Sequence, residues 1–165
     1  MSGGRRAHLA LIAVTALALV SLLAVLVGPK VGLFSGSRPA NLGYSQGRFL
    51  ADGDRRPNWV SSAVPPAEAK HYVSPIAFGG DPARAWAALE AAVAAMPRAR
   101  VVTRTPAYLH VEFASATLGF VDDAEFALDP GAGVIQARSG ARLGIRDFGV
   151  NRERIEGLRK IMGRP

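Results

Sequence analysis

Residues 108–151 read YLHVEFASATLGFVDDAEFALDPGAGVIQARSGARLGIRDFGVN, and this stretch decides the fold. Apolar and polar residues alternate in three short runs, about 108–115, 120–128 and 134–139, with turn residues between them. Such alternation predicts strands that bury one face. Residues 129–133, DPGAG, supply the proline and glycine that a tight turn requires, so the last two strands are predicted to form an antiparallel hairpin.

A helix and a further strand, about 100–105, are predicted before this stretch, and a second helix is predicted at its end. Asp81 and Pro82 suit the N-cap and the first position of a helix, and Pro97 ends the helical spacing of apolar residues that follows them. Residues 150–162 carry apolar side chains at helical spacing, which predicts a closing helix.

A weaker strand is predicted at residues 71–78, where Pro75 favours the edge of a sheet because proline donates no ladder hydrogen bond. The element order is then strand, helix, four strands, helix. This order predicts an α+β domain with an antiparallel sheet of four to five strands and two helices on one face. The TATA-binding-protein-like and the helix-grip-like arrangements both fit.

The N-terminal run 9–27, LALIAVTALALVSLLAVLV, contains no charge. As a helix it would span about 28 Å, which is close to the hydrocarbon thickness of a bilayer. Its length favours a single transmembrane anchor over a cleaved signal peptide, whose apolar core is shorter. The predicted organisation is a cytoplasmic tail at 1–8, this anchor at 9–27, a flexible linker at 28–55 and the α+β domain at 56–163.

Basic residues on the two sides of the apolar run bear on its orientation. Arg5, Arg6 and the free amino terminus lie on one side, and Lys30 with the more distant Arg38 lies on the other. This slight bias favours an N-terminus in the cytoplasm. The domain would then lie in the periplasm or on another extracytoplasmic side of the inner membrane. The remaining basic excess is mild, so we expect no nucleic-acid partner.

Composition and motifs exclude several kinds of chemistry. The chain has 165 residues, a formal net charge of +7 and no cysteine, so disulfides, thiol nucleophiles and cysteine metal sites are absent. No Walker loop, GxGxxG motif or serine-hydrolase motif occurs in the sequence. We therefore expect no cofactor and identify no catalytic residue.

Asp122 is a candidate for a structural ion pair. Alternation places it on the same side of its strand as Phe126 and Leu128, which is the apolar side. A buried carboxylate requires a partner, because an unpaired buried charge is very costly. Arg138 or Arg142 is the expected partner, and a role as a functional acid or a metal ligand is the alternative.

Three carboxylates, Glu112, Asp123 and Glu125, are predicted on the opposite face. They would form a solvated surface with cross-strand ion pairs, each contributing about 0.2–1 kcal/mol. Alternatively, oxygen ligands on adjacent strands would hold a divalent cation.

The arginine-rich loop before the closing helix is a candidate anion site, because guanidinium groups and free N–H groups of a helix N-terminus would converge there. The alternative is that its charged residues brace a long connection. The candidate ligand-binding residues are Arg138, Ser139, Arg142, Asp147, Asn151 and Arg152.

Four motifs resemble the domain of unknown function family 1499: RPNWVSS at 56–62, HY at 71–72 with a following proline, GFVDDAE at 119–125, and RS at 138–139 followed by the loop to residue 152. The resemblance covers about residues 55–162. It implies an uncharacterised, mainly bacterial and plastid family without an agreed activity. Many members have cysteine where this chain has Trp59, so thiol chemistry is not carried over.

These observations favour a non-enzymatic, membrane-anchored envelope protein whose domain binds an anionic small molecule, a lipid headgroup or an envelope protein through the arginine-rich loop. One alternative is a metal-assisted hydrolase that uses Asp122, Asp123 and Glu125. A purely structural interaction module is another alternative, and an exposed apolar patch beside the loop would support it.

Overall fold

The computed structural model describes residues 2–54 and 56–163. The predicted starting residue of the tail, Met1, and the last residue of the predicted linker, Arg55, lie outside the described residues. The elements in chain order are α1 (Ser2–Val27), β1 (Tyr44–Ser45), β2 (Arg48–Phe49), β3 (Trp59–Ser61), β4 (Ile76–Ala77), α2 (Pro82–Ala94), β5 (Ala99–Arg104), β6 (Tyr108–Ala114), β7 (Val121–Asp129), β8 (Val134–Ala141) and α3 (Val150–Met162).

Five strands form an open antiparallel sheet in the order β3-β8-β7-β6-β5, and β4 also pairs with β8. The short turns after β6 and β7 join neighbours in this sheet, as the alternation and the DPGAG turn predict. The predicted α+β class with its antiparallel sheet is confirmed. Two short strands, β3 and β4, bring the sheet to six strands, which is one more than predicted.

The predicted strand at 71–78 is largely wrong, because only Ile76 and Ala77 pair with β8. Tyr72 makes an isolated bridge to Ser61, and Pro75 lies between these two pairings without an N–H to donate. The sheet position beside the other half of β8 is occupied by β3, whose Trp59 lies opposite Gly140.

The two domain helices pack on one face of the sheet and enclose the apolar core. Asp81 caps α2 by accepting a 2.9 Å hydrogen bond from the Ala83 N–H, as expected for this residue type. The buried apolar residues of the core come from both helices and from the inward positions of β6, β7 and β8: Trp86, Leu89, Val93, Leu109, Val111, Phe113, Phe126, Ile135, Ala137, Ile155 and Leu158.

The second face of the sheet is covered by a segment that we call the strap, residues 35–54. Its hairpin, β1 and β2, brings Phe49 to 1% exposure, and Ala51 is also buried. Gly36 approaches Arg142 and Leu143 so closely that an added β-carbon would lie 2.9 Å from either side chain. The prediction of a flexible linker is therefore wrong for these residues, since loop-type composition does not reveal side-chain partners far away in sequence.

Helix α1 and the turns after it lead into one end of the domain, here called the α1 end. Residues Gly4–Val27 are long and apolar enough to cross a membrane, and none of them is buried in the protein. Pro29 packs against Gly119, where a β-carbon would lie 3.3 Å from the Pro29 Cα, and the rings of Phe34 and Phe120 are 5.8 Å apart. The α1 end therefore contains the β6–β7 turn, residues 115–120, and the loop 142–149.

Candidate functional site

The strand register gathers charged side chains on the second face, beneath the strap. Glu112 lies opposite Asp123, and Glu125 lies between His110 and Arg138 on the neighbouring strands. Each side chain of this group is less than a tenth exposed. We call the group the charged cluster, and its members are His110, Glu112, Asp123, Glu125, Arg138 and Arg142.

Arg142 holds two carboxylates of the charged cluster. Its Nε and Nη2 donate 2.7 Å hydrogen bonds to the two oxygens of Asp123, and Nη2 also donates to Glu112. The Nε2 of His110 lies 2.8 Å from the same Asp123 carboxylate. Burial would raise the pKa of Asp123, but hydrogen bonds from Arg142 and His110 outweigh this effect and keep it below its ordinary value.

Glu112 also receives two arginines from outside the cluster. Arg38 of the strap donates to it from Nε at 2.9 Å, and Arg100 of β5 donates to its other oxygen. Burial alone would raise the pKa of Glu112, whereas hydrogen bonds from Arg142, Arg38 and Arg100 lower it to about 2. The carboxylate is therefore ionised at neutral pH and fully engaged.

The Glu112 pairing predicts an acid-dependent loss of stability. Because its pKa falls from 4.5 to about 2 on folding, its contribution is present above pH 4.5 and is lost as the pH drops through about 2. Unfolding free energies measured from about pH 6 to about pH 2 should show a difference between the unchanged chain and Glu112→Gln that shrinks with acidity. Glu68→Gln, at an exposed glutamate, is the control. A difference that does not depend on pH would contradict the prediction.

Glu125 is the most deeply buried carboxylate of the charged cluster. It accepts hydrogen bonds from the Tyr108 hydroxyl at 2.7 Å and the Gly43 N–H at 2.6 Å, while Arg138 Nη1 lies 3.4 Å away. Burial raises the pKa of Glu125 in spite of these donors. The strap N–H therefore takes part directly in satisfying a charge of the sheet.

Arg138 lies between the sheet and the strap. Its Nη2 donates to the Ala51 carbonyl at 3.1 Å, and its Nε is 3.3 Å from Asp52 Oδ1. Asp52 in turn accepts a 2.9 Å hydrogen bond from Ser61 Oγ. Arg138 is thus a structural connection between two layers and does not face solvent.

The expectation of a solvated face is wrong, because the strap covers it. Each of the three carboxylates predicted as metal ligands, Glu112, Asp123 and Glu125, is bound by at least one arginine. Among residues 2–54 and 56–163, no group of three His, Cys, Asp or Glu side chains is placed to hold a metal ion. The charged cluster therefore forms a buried polar layer between the strap and the sheet.

Asp122 lies on the core side, as alternation predicts, but the prediction that Arg138 or Arg142 pairs with it is wrong. It is bound by Arg154 of α3 at 2.8 Å, while Arg138 and Arg142 point to the other face of the sheet. The guanidinium of Arg154 also lies 4.5 Å from the ring centre of Phe113. Burial raises the pKa of Asp122, and Arg154 opposes that rise.

Helix α3 begins in a polar network built from three of the predicted ligand residues. Ser139 Oγ donates to Asn151 Oδ1 at 2.6 Å, and Asn151 Nδ2 donates to Asp147 at 2.9 Å. Asp147 also accepts the backbone N–H of Asn151, which satisfies one of the free donors of the helix start. Arg152 donates to the carbonyls of Tyr72 and Lys70 instead.

The predicted ligand set therefore does not converge on one site. Arg138 and Arg142 lie under the strap, the Ser139, Asp147 and Asn151 network lies at the start of α3, and Arg152 holds the segment before β4. These contacts are those of the alternative reading, in which charged residues brace a long connection.

A cavity of about 630 Å³, which the charge pattern of the sequence does not indicate, opens at the α1 end. It lies between the ends of β6, β7 and β8 and the start of α3. Its apolar lining includes Met96, Phe113, Phe120, Leu143, Phe148 and Val150. Beside it, Phe148 is 89% exposed and Ile145 is 73% exposed. The sequence does contain one signal for it. Ile145 and Phe148 are large apolar residues in a glycine-rich loop, and they belong to no strand or helix pattern.

The fold and the site define an α+β domain with a buried charged layer, joined by a strap to one long apolar helix. A family model described as Protein of unknown function (DUF1499) matches residues 50–162, so the chain belongs to this uncharacterised family and the predicted resemblance is confirmed. Neither the curated proteins nor the solved structures contained a match to the chain.

Proposed function

We propose that this protein is a single-pass membrane protein whose α+β domain binds a ligand at the surface of the membrane without catalysing a reaction. The observation that carries the proposal is the position of α1. This helix carries no charge over residues 9–27, and the turns that follow it contact the domain through Pro29 and Phe34 beside the cavity. A bilayer around α1 would therefore lie next to the α1 end of the domain.

The proposed orientation has the N-terminus in the cytoplasm and the domain outside it, in the periplasm of a bacterial cell. Arg5 and Arg6 support it, because basic residues near a membrane helix favour the cytoplasmic side. Lys30 and the more distant Arg38 lie on the other side of the helix and oppose it.

A binding role is favoured over the hydrolase alternative by the pairing of the acidic residues. A metal-assisted hydrolase requires carboxylates that converge on an open position. In this domain Asp122 is bound by Arg154, and Asp123 and Glu125 lie under the strap with arginine partners.

The proposed binding surface is the loop 142–149 with the cavity beside it. Arg146 gives this loop its exposed positive charge, and it has no acidic partner among the described residues. Arg138 and Arg142, which the sequence suggested for this role, are occupied within the protein.

Single-cysteine labelling tests the membrane topology, since the chain has no cysteine of its own. We expect a membrane-impermeant maleimide to label Ala67→Cys in intact cells and Gly4→Cys only after the cells are opened. Both positions are exposed. The opposite labelling would overturn the orientation. Release of the protein from membranes by alkaline carbonate, or a mature chain that begins after α1, would overturn the anchor.

A further inference from the structure

The cavity at the α1 end combines an apolar interior with a basic border. Its volume of about 630 Å³ falls within the range of small-molecule sites. Phe113, Phe120 and Leu143 contribute to the apolar wall, while Arg98 and Arg146 contribute positive charge. This combination suits a molecule with a hydrocarbon part and an anionic part.

The three arginines of the lining, Arg98, Arg146 and Arg154, outnumber its two carboxylates, Asp122 and Asp147, and leave a net positive charge. Asp122 is paired with Arg154 at 2.8 Å. Asp147 accepts hydrogen bonds from the Asn151 side chain and from backbone N–H groups, which keep the pKa of its carboxyl below the ordinary value despite burial. By contrast, Arg98 donates only to the Ala114 carbonyl among the described residues, and it makes no ion pair there.

The loop beside the cavity exposes large apolar side chains to solvent, and one of them has an unfavourable backbone conformation. Phe148 is 89% exposed and has a φ of 53°, a left-handed conformation that a bulky residue rarely adopts. Ile145 is 73% exposed three residues earlier. Exposed large apolar residues beside a pocket are typical of a surface that contacts a membrane or a partner.

The position of this loop decides between those two classes of partner. The cavity shares Phe120 with the contact to Phe34, only seven residues after the end of α1. If α1 spans a bilayer, the cavity and the loop lie at the level of its headgroups. The nearest molecule with a hydrocarbon chain and a negative charge is then a lipid of that bilayer.

We propose that the cavity takes an acyl chain of an anionic phospholipid from the membrane that holds α1. The apolar wall surrounds the chain, Arg98 and Arg146 pair with the phosphate, and Ile145 and Phe148 enter the interface. The proposal rests on the membrane location proposed above, and it adds the class of ligand.

Photocrosslinking of the full-length chain in lipid nanodiscs tests this inference. The probes are phosphatidylglycerol and phosphatidylcholine that carry the same photoreactive acyl chain. We expect phosphatidylglycerol to label peptides that contain Phe120, Leu143 or Phe148 in preference to phosphatidylcholine. Both probes should label α1, because its apolar side chains face the lipid.

The matched variants separate a site from a general attraction of basic protein to anionic lipid. Arg98→Gln with Arg146→Gln should reduce the phosphatidylglycerol preference by about 25-fold, since each arginine near a membrane surface contributes about fivefold. Arg48→Gln with Arg84→Gln removes the same charge from exposed positions outside the cavity lining and should leave the preference unchanged.

Three results would overturn the inference. These are labelling of α1 without labelling of the cavity, equal labelling by the two probes, and crosslinks from the cavity to a second copy of the chain. In each of these cases, labelling of α1 would still support the proposed membrane location. Absence of label from α1 itself would instead reject the proposed function.

Discussion

Replacing Arg142 by alanine is expected to lower the free energy of unfolding by about 3–5 kcal/mol, the range for breaking a buried ion pair from one side. The substitution removes the guanidinium that binds both Glu112 and Asp123, whose side chains are 8% and 1% exposed. Two carboxylates would then compete for His110 and the remaining arginines. Chemical denaturation of the full chain in detergent, followed by tryptophan fluorescence, measures the loss.

Arg100→Ala is the matched control for that prediction. Arg100 binds the same Glu112 carboxylate, but its own side chain is 69% exposed, so its loss should cost less than about 1 kcal/mol. Equal costs for the two substitutions would show that burial of the charged cluster is not what makes Arg142 important.

Phe49→Ala is the other substitution with a large expected effect, about 3–5 kcal/mol of unfolding free energy. Phe49 is 1% exposed although it belongs to the strap, and its ring packs edge-on against Tyr44 at 4.9 Å between ring centres. Its removal would leave a void between the strap and the sheet. The same denaturation measurement checks the prediction.

The neighbouring residue provides the comparison. Leu50 is 50% exposed, so Leu50→Ala should change the unfolding free energy by about 0.5 kcal/mol or less. If Phe49→Ala costs no more than Leu50→Ala, the strap does not belong to the cooperatively folded domain.

Local chemistry explains what the sequence could predict. Alternation in β6 and β7 assigns side chains to the two faces of the sheet, and the turn DPGAG joins β7 to β8. The closing helix covers the residues that helical spacing marks, Val150–Met162. Each of these signals lies within about ten residues and needs no knowledge of distant partners.

Long-range contacts explain what the sequence could not predict. Asp122 is correctly placed toward the core, but its partner Arg154 is fixed by how α3 docks on the sheet. The strap has the composition of a linker, and its place on the sheet depends on contacts with distant residues such as Glu112 and Glu125. Strand periodicity cannot show which side chains of a distant segment will reach a given face.

The sequence identified the arginine-rich loop as a candidate site, but the cavity beside it was missed for a related reason. Their charge made Arg138 and Arg142 candidates for ligand binding, but both arginines form ion pairs inside the protein. The exposed residues Ile145 and Phe148 carry no charge and match no motif, so they resembled ordinary loop residues. Their exposure and their proximity to α1 emerge only when the chain is folded.

The strap also determines when during synthesis the domain can be completed. Arg38 precedes its partner Glu112 by 74 residues, and Ala51 precedes Arg138 by 87. The strap leaves the ribosome before the sheet strands and therefore lacks its full set of partners until β8 has been made. Contacts so distant in sequence slow folding, because a long loop must close before they form. Nascent chains that stop before residue 142 should expose Phe49 and become substrates for proteases.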